Sequence, residues 1–232
     1  MANLLISLPR LTLLICEPYL LREGIKFVHS INVNSFTYKL TYLHTRFPDR
    51  DFLMSATSLC PDIKELVIED QGRDCAEALT RMKSLESLTL ENYTWLTRDE
   101  KYYEACFSNL TKLVLKNPKM VGIDVEFLDK LGSWCQNLTS FTLTLYYRDT
   151  FTRVYKFKSK NFFPKLESLT IDGDVSLSLI ETLLTSAGEG RLKSLTIYIH
   201  QLGIPTGTFD VMMLRMARYV QFGSHQLIQS TT

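Results

Sequence analysis

Residues 60–68 read Cys-Pro-Asp-Ile-Lys-Glu-Leu-Val-Ile, and the spacing inside this stretch decides the fold: apolar residues stand at Ile63, Leu66 and Ile68. The same pattern, apolar-x-x-apolar-x-apolar, returns at Leu85-Leu88-Leu90, Leu110-Leu113-Leu115, Leu138-Phe141-Leu143, Leu166-Leu169-Ile171 and Leu192-Leu195-Ile197. The starts are 22, 25, 28, 28 and 26 residues apart. One such spacing is weak, since leucine is common; six in succession are an internal repeat. In an extended segment alternate side chains share a face, so the second and third apolar positions point the same way. A strand this short cannot bury its face alone. Neighbouring units must therefore stack in parallel, and parallel neighbours need a return crossover.

The residues between the strands supply that crossover. Ile123 to Cys135 reads as a helix with Val125 or Phe127, Leu128 and Leu131 inward, and Val175 to Ala187 does the same through Leu177, Ile180, Leu183 and Leu184. Asp74 to Met82 and Asp99 to Phe107 are shorter versions. Asp74, Asp99, Asp124 and Asp174 stand where an acidic residue suits the positive end of a helix. An earlier copy of the pattern, Leu8-Leu11-Leu13, lies near the N-terminus. Between it and Ile63 the second strand is either Val28-Ile31-Val33 or the alternating Phe36-Tyr38-Leu40-Tyr42; the latter gives spacings nearer the others. At the other end, Phe209, Met212, Met213, Met216 and Val220 fall on one helical face, so a capping helix is expected at about 208–222.

Composition sets the outer bounds. The chain has 232 residues, 45% of them hydrophobic and 22% charged, which suits a packed domain and excludes disorder, collagen and coiled coil. A net charge of +1 removes any whole-chain argument for nucleic acid or an anionic membrane. The five cysteines are odd in number and show no CxxC or zinc-finger spacing, so reduced thiols in an intracellular protein, cytoplasmic or nuclear, are expected and a metal is not. No apolar run reaches the ~18 residues of a membrane span. No HExxH, GxSxG, Walker loop or Gly-rich turn is present, and the four histidines are isolated; neither an enzyme nor a cofactor is expected.

The repeat resembles the leucine-rich repeats of the cysteine-containing, ribonuclease-inhibitor-like kind found in F-box proteins. In that family a Cys stands three places before the first Leu. Cys60-Pro-Asp-Ile and Cys135-Gln-Asn-Leu match it, while Met82, Phe107 and Phe163 fill the slot with larger apolar groups and Glu189 breaks it. The resemblance implies one α/β solenoid domain over residues 1–232, a horseshoe with parallel strands on the concave face and helices outside. Clear repeats would cover 57–200 and degenerate ones 1–56. It also implies a non-catalytic protein-binding module, the substrate-recognition part of an F-box-type ubiquitin-ligase adaptor whose F-box is absent from this chain. Its partners would be a protein substrate or adaptor and ubiquitin-ligase subunits.

Two surfaces are candidates for recognition. From Ile63 onward the exposed strand columns are small and mildly polar: Glu65, Ser87, Lys112, Ser140, Ser168 and Ser194, then Val67, Thr89, Val114, Thr142, Thr170 and Thr196. Beyond the strands the residues change character. Tyr93, Trp95, Tyr146, Tyr147, Arg148, Tyr198 and His200 follow their strands within one to five residues, and stacking would bring them to one rim rich in hot-spot residue types. The alternative reading is an electrostatic or nucleic-acid-associated scaffold on the basic segment 148–165, where Lys156, Lys158 and Lys160 alternate with Tyr155 and Phe157. Nucleic acid is the less favoured partner, because lysines on a solvated edge also block strand-to-strand aggregation.

Overall fold

The computed structural model describes residues 11–16, 39–69, 75–91, 100–116, 125–145, 163–173, 177–187, 191–199, 214, 217 and 220–229. The chain divides into two compact units, Met1–Leu110 and Thr111–Thr232. In the first, strands β1 (Leu13–Cys16), β2 (Tyr42–Arg46), β3 (Glu65–Glu69) and β4 (Ser87–Glu91) lie side by side in chain order. Helices α1 (Arg50–Leu59), α2 (Cys75–Leu79) and α3 (Glu100–Phe107) alternate with them from β2 onward. The second unit holds β5 (Lys112–Lys116), α4 (Val125–Trp134), β6 (Ser140–Leu145), β7 (Ser168–Gly173), α5 (Leu177–Ala187), β8 (Leu192–Ile199) and β9 (Val220–Gln229). The paired strands within each unit run parallel in an open sheet. The protein is α/β.

The repeat pattern sets the register. Leu43, Leu66 and Leu88 stand opposite one another in the first unit, and Leu113, Phe141, Leu169 and Leu195 do so in the second. All seven are fully or almost fully buried. The next inward row runs through Thr45, Ile68 and Leu90, and through Leu115, Leu143, Ile171 and Ile197, again buried. Burying each Leu or Ile contributes roughly 1.5–3 kcal/mol before entropy.

The strands begin in one recurrent way. The carbonyl of the residue just after each first apolar position accepts two N–H groups from the following repeat. Thr12 O takes Thr41 and Tyr42, Thr41 O takes Lys64 and Glu65, and Lys64 O takes Glu86 and Ser87. Thr111, Thr139 and Glu167 repeat the arrangement in the second unit. Side chains reinforce this column: Lys64 Nζ donates to Glu86 Oε1 at 3.1 Å, and Lys193 Nζ lies 2.8 Å from Glu167 Oε1.

Ahead of each strand, the residue three places before the first apolar position offers its carbonyl to that position's N–H. Cys60, Met82, Phe107, Cys135 and Phe163 all do so. A tight turn therefore tucks their side chains toward the core, where Met82, Phe107, Cys135 and Phe163 are buried and Cys60 is half-buried. Phe163 adopts this place with φ 52°, its ring packed on Phe141 at 5.2 Å between centroids. Gly173 ends β7 at φ 124°, a conformation only glycine takes without strain.

The structure corrects three expectations near the ends. In β1, Leu14 pairs with Leu43, so the N-terminal unit is Leu11-Leu14-Cys16 rather than Leu8-Leu11-Leu13. This displacement puts Leu13 out of the inward set, and it is 52% exposed. The second strand is 42–46, beginning where the preferred Phe36–Tyr42 segment ends; its unit is Leu40-Leu43-Thr45. Most of the capping helix expected at about 208–222 lies outside the described residues; Leu214 within it is helical, but Val220, Gln221 and Phe222 open strand β9, so only its C-terminal bound is corrected. The four crossover helices lie where the sequence places them, each shorter, most of all α2, which keeps only Cys75–Leu79 of the expected 74–82. Asp74, Asp99, Asp124 and Asp174 are outside the described residues. An aspartate N-cap is seen at α1, where Asp49 Oδ1 accepts from Phe52 N–H at 2.8 Å.

Candidate functional site

The face of the first unit's sheet away from the core is a grid that the register writes out. Its first row is Leu13, Tyr42, Glu65 and Ser87; its second is Ile15, His44, Val67 and Thr89; its third is Arg46, Glu69 and Glu91. The accessible apolar surface lies at β1, where Ile15 is 63% exposed. Accessibility declines along that second row, through half-buried His44 and Val67 to buried Thr89.

Polar groups on this face are arranged unevenly. His44 Nε2 lies 2.7 Å from Glu69 Oε1, and Arg46 Nε lies 3.9 Å from Glu69 Oε2. Glu65 has no cationic partner among the described residues; beside it stands the Tyr42 phenol, whose pKa is raised by burial first and by the Glu65 charge second.

Phe47 closes β2 with its ring outward. Its φ is 51°, the left-handed region that costs a bulky residue strain, and Pro48 restricts its backbone further. The turn is nevertheless pinned on both sides. Phe47 N–H donates to Glu69 O at 2.8 Å, Cys75 Sγ donates to Pro48 O at 3.5 Å, and Asp49 caps α1. The ring is 56% exposed, with the Arg46 guanidinium 5.0 Å from its centroid. Surrounding structure thus holds an aromatic side chain out of the core.

The second unit's equivalent face over β5–β8 is different. Its rows are Lys112, Ser140, Ser168, Ser194; then Val114, Thr142, Thr170, Thr196; then Lys116, Thr144, Asp172, Tyr198. Here the small, mildly polar columns expected from sequence are present. Of the predicted rim, Tyr198 alone is described: it lies inside β8, half-buried on the strand face opposite Asp172, because the strand continues to Ile199. Tyr93, Trp95, Tyr146, Tyr147, Arg148 and His200 lie outside the described residues, as does most of the basic segment 148–165. At that segment's end, Phe163 is core and Lys165 Nζ donates to Asn137 Oδ1 at 2.6 Å.

Sequence reading missed Leu13, Ile15, Tyr42, His44, Arg46 and Phe47. The signal was present in Leu40-Thr41-Tyr42-Leu43-His44-Thr45, which keeps the first two apolar positions and places threonine at the third. Threonine is tolerated there: Thr45 is 1% exposed, and its hydroxyl has no hydrogen-bond partner.

No group of three His, Cys, Asp or Glu among the described residues could hold a metal ion, and none of the described helices is long and apolar enough to cross a membrane. The class the fold defines is an α/β protein built on open parallel sheets with a mixed apolar, aromatic and acidic face on its opening strands. No protein-family model matches the chain, and no curated protein matches it in sequence.

Proposed function

We propose that the chain is a non-catalytic protein-binding module of the leucine-rich-repeat type, a solenoid in which the strand face meets the partner. The observation that supports it most is the opening-strand face: Leu13, Ile15 and Phe47 are each more than half exposed, beside Tyr42 and Arg46. Tyr and Arg are enriched in binding hot spots, and an apolar group held in water serves no folding purpose. By its resemblance to F-box-associated repeats, the partner is a substrate of a ubiquitin-ligase adaptor. Affinity capture with the whole chain, probed for cullin-adaptor subunits beside an Ile15→Asp control, tests both levels. Recovery of those subunits supports the ligase reading. Recovery of proteins lost with Ile15→Asp, without ligase subunits, keeps the binding module and removes the ligase. Recovery of nucleic acid, abolished by replacing Lys156, Lys158 and Lys160, would transfer the function to the basic segment.

A further inference from the structure

Resting on the protein-binding reading, we infer that the opening-strand face takes a partner segment combining apolar side chains with a lysine or arginine, the cation seated on Glu65. The argument is one of complementarity. The described carboxylates on this face are Glu65, Glu69 and Glu91, against one arginine, Arg46. Glu69 is engaged by His44 and Arg46, whereas Glu65 faces the Tyr42 phenol and no cation among the described residues. A half-buried carboxylate without a counter-charge gains most from a cation brought to it in partial shelter from water.

Geometry gives the segment its second requirement. Leu13 and Glu65 stand in one row two strands apart, so about 10 Å separates their backbones. Ile15 extends the apolar surface one step along β1. One segment can therefore cover Leu13 and Ile15 with apolar side chains while a basic residue reaches across Tyr42. A polyanion is disfavoured at the same place: nucleic acid or an anionic lipid surface would bring its phosphates against unpaired negative charge.

The test is selection of a phage-displayed random peptide library on the purified full chain, followed by binding of the enriched peptides, resynthesised, to variants. Expected are sequences with Lys or Arg near apolar residues. Glu65→Lys and Ile15→Asp should each weaken binding about tenfold or more, with unchanged circular dichroism. A peptide whose basic residue is replaced by Glu should regain affinity for Glu65→Lys, a rescue that general damage to the surface would not give. Enriched peptides that depend on Ile15 but show no basic preference and no charge-swap rescue would overturn the inference and leave the binding face standing. Peptides indifferent to both substitutions, or no enrichment at all, would overturn inference and face together. If Ile15→Asp fails to fold, Leu13→Ser takes its place.

Discussion

The outer rows of β1–β3 and β5–β8 sit on the same kind of scaffold and carry different chemistry. Across the second unit the middle row reads Val114, Thr142, Thr170, Thr196, the branched residues a parallel sheet favours whatever it meets. Across the first it reads Ile15, His44, Val67, Thr89, and the difference lies at its opening end, with exposed isoleucine and an imidazole on a carboxylate. The buried inward rows hardly differ: leucine and isoleucine fill both, with Phe141 and Thr45 as exceptions. The repeat therefore constrains one face and releases the other. Divergence on the released face is where recognition is to be sought.

Substitutions in the inward rows should show the largest effects. Phe141→Ala removes a fully buried ring and should cost about 3–5 kcal/mol by denaturant unfolding. Leu66→Ala should cost about 2–5 kcal/mol, and Leu14→Ala, in the same row but only half-buried on β1, should cost about 1 kcal/mol. Equal costs at Leu14 and Leu66 would mean that β1 is as deeply integrated as β3, and the contrast between edge and centre would fail.

A reciprocal exchange sharpens the comparison. Ile171 and Thr45 hold the same place in their repeats, both buried. Ile171→Thr introduces a hydroxyl into an apolar row and should destabilise by about 2–4 kcal/mol. Thr45→Val removes a buried hydroxyl that has no partner and should stabilise by about 1 kcal/mol. Destabilisation by Thr45→Val would show that the hydroxyl is satisfied after all, for instance by a bound water.

The thiols test the turn ahead of the strands and the helix that follows β4. Burial pushes both Cys60 and Cys106 up to about 12, with Lys83 opposing the shift at Cys106. At pH 8 almost no thiolate exists at either site, so alkylation should be slow in the native chain and fast after unfolding. The linkage has a definite sign. The unfolded thiol ionises near 8.5, so its share of stability is intact below that pH and is lost as pH rises from there toward 12. Native labelling as fast as in denaturant would place these sulfurs at the surface.

Periodicity carried the middle of the fold because leucine at fixed spacing has one physical outlet, an inward column on stacked strands. Ile63 to Ile197 follows it throughout. The opening strands were less legible for a local reason: β2 has threonine in the third inward place, and β1 has leucine on both faces at Leu13 and Leu14, so alternation could not say which points inward. Pairing with β2 settles that choice, and pairing is not written in β1. Helix α1 was missed although Asp49 caps it and Phe52, Leu53 and Ala56 line its buried face. The outer face was harder still, since it is defined by which residues neighbour one another across strands some 23 to 29 positions apart.

The smallest expected change in stability separates display from structure most cleanly. Phe47 and Phe163 share the left-handed conformation, at φ 51° and 52°, yet one ring is 56% exposed and the other 1%. At Phe163 the strain of about 1–2 kcal/mol is offset by ring burial against Phe141, and Phe163→Gly should destabilise by about 3 kcal/mol or more. At Phe47 glycine relieves the same strain and forfeits a partly exposed ring with its Arg46 contact, about 0.5–1 kcal/mol, plus a similar entropic term. These nearly cancel. Phe47→Gly should thus shift unfolding free energy by less than about 1 kcal/mol while weakening any partner that spans the opening strands. A loss of 3 kcal/mol or more would make Phe47 a folding residue, and its outward ring would no longer speak for recognition.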